Sequence, residues 1–174
     1  MSFAVLFDEY ADPPLRHTLG GLMARARTAD FAIAHFRLAG LDLGPSEAAG
    51  LDRCRVMVGH FDAARLLDGP GVAGANVKTL IMFARSGRLE MRTAPHHTWN
   101  PDFSVFRGLP EGASAVLLGA HYFGRPYPRF GLAFTCVLTQ ERAVRACGRR
   151  FEEIWAAGYD ILPVVIDSLE RLTQ

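Results

Sequence analysis

Lysine is almost missing from this sequence: Lys78 is the only one among 19 basic residues, and arginine carries the rest. Any mechanism that needs a lysine therefore has a single candidate. Cysteine is also scarce, with Cys54, Cys136 and Cys147 odd in number and without CxxC spacing. That pattern argues against a disulfide framework or a zinc knuckle, and a reducing cytoplasm is the expected compartment. Net charge is nearly absent as well, at +1, which removes the simple argument for a non-specific polyanion binder but leaves room for a local basic patch. No apolar run approaches the roughly 20 residues that span a bilayer. The opening Met1 to Asp8 has no basic leader before Asp8 and Glu9, so neither a signal peptide nor a membrane partner is expected.

What is present suits a globular fold. The 174 residues are 49% hydrophobic and 21% charged, enough apolar material for one domain over 1–174 with a substantial core. Phe3 to Phe7 reads as an edge strand, and Pro13-Pro14 opens a helix carrying Leu15, Leu19, Leu22, Met23 and Ala26 at helical spacing. Thr28-Ala29-Asp30 breaks that pattern before a buried strand, Phe31 to Phe36. A small helix ends near Gly50, a strand covers Cys54 to Gly59, and Ala63 to Leu67 is a helical fragment. A helix over Val77 to Ala84 stops at Ser86-Gly87, and Leu89 to Thr93 alternates like a half-buried strand. Further strands are predicted at Phe103 to Phe106, Ala115 to Leu118 and Gly131 to Leu138. Thr139 is placed as the N-cap, and Gly158 as the C-cap, of a helix from Gln140 to Ala157, whose stripe is Val144, Cys147, Phe151, Ile154 and Trp155. A short helix over Leu162 to Leu172 closes the chain. The alternation predicts an α/β (mixed α+β) domain, a mixed central sheet flanked by helices on both faces.

Chemistry concentrates between Gly87 and Arg125, which hold three of the six histidines: His96, His97 and His121. His97 and His121 are candidate nucleophiles or bases, histidine having a suitable pKa range. Arg92, Arg125 and Arg129 are candidate phosphate or ligand contacts, because the guanidinium fork matches oxyanions. Asp102 and His121 lack the compact spacing of a metal site, so no metal and no cofactor is expected. Arg142, Arg145 and Arg149 form a basic row on the long helix. Such a row either grips a nucleic-acid backbone or is a solvated face.

Ala29 to Leu41 followed by Arg55-Val-Met-Val-Gly59 resembles the opening of phospholipase D-like domains. Arg88 to Arg92 resembles the strand before that family's histidine. Leu117-Leu-Gly-Ala-His-Tyr-Phe123 resembles its Gly-Ser-x-Asn segment, and Arg150-Phe151-Glu-Glu-Ile-Trp155 its closing helix. The resemblance covers about 15–158 and leaves 160–174 as a C-terminal helical segment. It implies chemistry by a His-x-Lys pair in which histidine attacks phosphorus and lysine neutralises phosphate oxygens. Here Trp99 follows His97-Thr98, and the better strand alignment puts Pro101 and Phe103 at the histidine and lysine positions. Ala120 and Tyr122 replace the serine and asparagine, and no acidic residue stands in Leu132 to Val137. What the resemblance implies is a catalytically silent, homodimeric binding or assembly module, with a nucleic acid or a protein as partner. The alternative is an active phosphodiesterase or nuclease whose site is rebuilt from His97 or His121 and Arg92, Arg125 or Arg129.

Overall fold

The computed structural model describes residues 4–7, 15–36, 45–63, 74–95, 102–119 and 135–171. The strands are β1 (Ala4–Phe7), β2 (Thr28–His35), β3 (Arg53–His60), β4 (Leu89–Thr93), β5 (Phe103–Arg107), β6 (Ser114–Gly119), β7 (Thr135–Leu138) and β8 (Tyr159–Asp160). The helices are α1 (Leu15–Arg25), α2 (Pro45–Gly50), α3 (Gly74–Arg85), α4 (Glu141–Ala156) and α5 (Leu162–Arg171). All eight strands form one sheet in the order β1-β7-β6-β5-β2-β3-β4-β8. β2, β3 and β4 run parallel, joined through helices, while β5, β6, β7, β1 and β8 each run antiparallel to their neighbours. The expected mixed sheet with helices on both faces is what the chain builds.

Period-two alternation sorts the strands into two cores. Ala29, Phe31 and Ile33 of β2, with Cys54, Val56 and Val58 of β3, face a large core completed by α1, α2, α3 and α5. Phe31 and Phe106 meet edge to face there, with ring centroids 5.7 Å apart. The intervening Ala32 and Met57, with Phe103, Val105 and Val116, face a smaller core closed by Val144, Phe151 and Trp155 of α4. One hydroxyl in the large core stands out. Ser104 pairs in register with Phe31 and Leu117, is fully buried, and its Oγ has no hydrogen-bond partner among the described residues. An unmade buried hydrogen bond costs free energy, so Ser104→Ala is expected to leave stability unchanged or raise it by up to about 1 kcal/mol. A urea titration showing a loss above about 1 kcal/mol would mean the hydroxyl has a partner in the native protein.

Three local expectations need correction. Thr28-Ala29-Asp30 does end the helical pattern, but β2 already begins at Thr28 and not at Phe31, with Ala29 buried and the Asp30 carboxylate met by arginines from neighbouring strands. Gln140, not Thr139, occupies the N-cap of α4, without a side-chain cap bond. The residue that ends α4 is Ala157, and Gly158 packs closely against the sheet. A β-carbon at Gly158 would come within 2.9 Å of Met57 Cε and 3.0 Å of Arg92 Cβ, so a larger residue there would have to push these side chains of β3 and β4 aside. The fragment Ala63 to Leu67 and the first half of the strand expected from Gly131 lie largely outside the described residues.

Candidate functional site at the strand ends

Because β2, β3 and β4 are parallel, their C-terminal ends share one edge of the sheet. β5 runs the other way and starts at that edge, and β6 ends there. His35 and His60 are cross-strand partners at this edge, and His60 is half-buried. Both chemistry-bearing segments of the sequence attach here. The segment 96–101 joins the ends of β4 and β5, and 120–134 joins Gly119 of β6 to its register partner Thr135 of β7. His96, His97, His121, Arg125 and Arg129 themselves lie outside the described residues.

Asp102 fastens this edge. Its backbone carbonyl accepts from the Gly119 N–H at 3.0 Å, and its Oδ1 accepts from the Ala34 N–H at 3.3 Å. One residue thus ties together the ends of β2, β5 and β6. The carboxylate takes up a donor of β2 just beyond the register of β5, where an unpaired N–H would be costly. Burial pushes the Asp102 carboxyl up to about 6, against the opposing pull of the Ala34 N–H. A carboxyl raised above its unfolded value favours the folded state while protonated. Its contribution is complete below about pH 4 and is lost as pH rises through about 6. Asp102→Asn keeps an acceptor for Ala34 and is expected to flatten that decline in urea stability between pH 4.5 and 7. An unchanged pH profile would show that Asp102 does not titrate in this way.

Beside Asp102, Phe103 stands where the resemblance puts lysine. It is 8% exposed and packs into the core beneath α4. No cation occupies that strand position. Arg92 points to the same face: its Nη1 donates to the Trp155 carbonyl at 2.9 Å, and its guanidinium stacks 4.8 Å from the Trp155 ring. It closes the last turn of α4, where cations suit the helix dipole.

A second charged group lies under α4, and sequence reasoning did not single it out. Asp30 is fully buried and accepts from Arg55 Nε at 2.7 Å and Nη2 at 3.0 Å, and also from Arg107 Nη1. Arg55 also donates to Glu152 of α4 at 3.0 and 2.6 Å, and sits 4.7 Å from the Phe151 ring. Burial opposes the Arg55 charge, but the bonds to Glu152 and Asp30 outweigh it and hold its pKa above the ordinary value. Hydrogen bonding from Arg55 in turn holds Glu152 below the usual carboxylate range. The available signal was a charge inside each of two largely apolar strands, Asp30 and Arg55, which are register partners. Arg142, Arg145 and Arg149 are exposed on α4, and Arg145 is paired with Glu141. Among the described residues no group of three or more His, Cys, Asp or Glu is placed to hold a metal. No helix among them is long and apolar enough to cross a membrane.

No family model matches the sequence, and no curated protein matches it. Solved structures do match. Nuc, a phospholipase D family member from Salmonella typhimurium, superposes with a TM-score of 0.57 at 11% identity, over 92% of this chain and 98% of that one. NucT from Helicobacter pylori gives 0.59 at 9% identity, over 92% of this chain and 100% of its own. TrmBL2, an archaeal chromatin protein with a novel mode of DNA binding, gives 0.57 at 11% identity, over 91% of this chain and 53% of its own. The chain has the phospholipase D-like fold.

Proposed function

We propose that this chain is a catalytically silent phospholipase D-like domain acting as a binding or assembly module. It works as a homodimer in the cytoplasm, with a nucleic acid as the favoured partner and a protein as the other. The observation that carries the reading is Phe103. At the strand position where the resemblance calls for a phosphate-neutralising lysine, the chain buries an aromatic ring in its core. Without a cation there, charge developing on phosphate oxygens has no partner from β5, and losing such a contact costs roughly 10²- to 10³-fold in rate. TrmBL2, a DNA-binding chromatin protein of the same fold, supports the choice of nucleic acid.

Purified protein at micromolar concentration is expected to hydrolyse neither bis(p-nitrophenyl) phosphate nor labelled single-stranded or duplex DNA above buffer. It is expected to sediment at twice the chain mass. One observation favours the second reading, an active phosphodiesterase: the carboxyl of Asp102, raised to about 6, lies at the edge where both histidine-bearing segments attach. On that reading His97 or His121 is nucleophile or base, and Arg125 and Arg129 clamp the phosphate, since Arg92 is engaged by Trp155. Turnover that vanishes in His97→Ala or His121→Ala would replace the first reading with the second.

A further inference from the structure

A groove of about 460 Å³ runs along the margin of α4 beside Arg107 of β5, floored by the buried Val144 and Gly148 and flanked by Arg145 and Arg149, with Glu152 and Glu153 one turn further on. Its charges are unevenly committed. Glu152 is held by Arg55 at 2.6 Å, Glu153 by Arg150 at 3.0 Å, and Arg145 by Glu141. Arg107 spends Nη1 on Asp30. Among the described residues, Arg149 and Arg142 have no ion-pair partner, so the surplus on this face is positive.

Gly148 shows how the groove is built. A glycine inside a helix costs about 1 kcal/mol relative to alanine, which calls for a local reason. Here a β-carbon would come within 2.7 Å of Arg107 Nη2, so the guanidinium lies over bare helix backbone. Nη2 has no hydrogen-bond partner among the described residues, and Arg149 is the next residue along the helix. Arg142 lies seven residues back, about 10 Å along the axis.

We infer that this groove binds the oxyanion of a phosphate group, held by Arg107 from the sheet and Arg149 from the helix. The phosphate belongs either to a nucleic-acid backbone, which Arg142 would then follow along α4, or to a small free phosphate. Arginine forks suit both. The site does not depend on the strand-end edge. Arg107 is at the other end of β5 from Phe103, four residues or about 13 Å away.

The test titrates the full chain with a fluorescent single-stranded 12-mer, by anisotropy at several salt concentrations, and with inorganic pyrophosphate, by calorimetry. Arg149→Gln is expected to weaken whichever ligand binds by about tenfold. For the oligonucleotide it should also shrink the slope of log affinity against log salt by about 0.7. Gly148→Ala changes no charge but displaces the Arg107 guanidinium, and it is expected to weaken binding comparably. Arg171→Gln makes the same charge change on α5, across the sheet from α4, and is expected to bind as the parent does. Oligonucleotide binding sensitive to both groove variants assigns a backbone phosphate. Sensitivity confined to pyrophosphate assigns a small phosphate ligand. Binding of neither ligand, or binding unchanged in Arg149→Gln and Gly148→Ala with unaltered thermal melts, overturns the inference. The hydrolysis assay reads the strand-end edge and the binding titrations read the groove, so failure of either leaves the other separately readable.

Discussion

Arg55→Ala is expected to lower the free energy of unfolding by about 3–5 kcal/mol, with the melting temperature falling by about 10 °C. Arg55 and Asp30 expose only 6% and 1% of their side chains, so water cannot replace the bonds that the substitution removes. Asp30 keeps Arg107, which moderates the loss. Against that, Glu152 is released, and contacts 4.7 Å from Phe151 and 5.3 Å from Trp155 disappear. The cost comes mainly from leaving a buried carboxylate under-compensated. For that reason the double replacement Asp30→Leu with Arg55→Met is expected to recover most of the stability, Arg107 being exposed enough to turn to solvent. Guanidinium titrations of both variants check this. A loss below about 1 kcal/mol for Arg55→Ala would show that the network contributes little.

Phe151→Ala is expected to cost about 3–5 kcal/mol. The ring is fully buried and stacks on Trp155 with centroids 5.5 Å apart and planes 19° from parallel. It holds α4 against Ala32, Met57, Val105 and Val116, in a core much smaller than the one across the sheet. A cavity there has few neighbours able to close it. Phe151 also lies beneath the Arg55 guanidinium, so the two losses should not add. A double-mutant cycle is expected to give a coupling of about 0.5–3 kcal/mol, and additivity within about 0.5 kcal/mol would mean the stack carries no energy of its own.

Legibility in the sequence followed the range of the interaction. Helices and strands were readable wherever apolar residues recur at short intervals: the stripe of α4 contains Val144, Phe151 and Trp155, as its spacing predicts, with Cys147 and Ile154 packed at its margin. Gly148 joins that buried side without any hydrophobic signal. The two-residue β8 was not legible, because Tyr159 and Asp160 are both exposed and only their register with Thr93 and Arg92 makes them a strand. The sequence marked Asp102 only as a possible metal ligand beside the histidines; its role at the strand ends comes from Ala34, 68 residues earlier, and His97 and His121 lie outside the described residues.

The sequence by itself determined the order of elements apart from β8, the mixed sheet and the aromatic Phe103 that the resemblance sets against a lysine. Each follows from local periodicity or from the identity of a single side chain. The tertiary structure alone decided which charges are internal. Local spacing gave neither Asp30 nor Arg55 a role; strand pairing set them side by side, and α4 brought Glu152 to the same guanidinium from 97 residues away. A charge can be buried only where opposite charges and hydrogen bonds meet it, and those partners are neighbours in space, not in sequence.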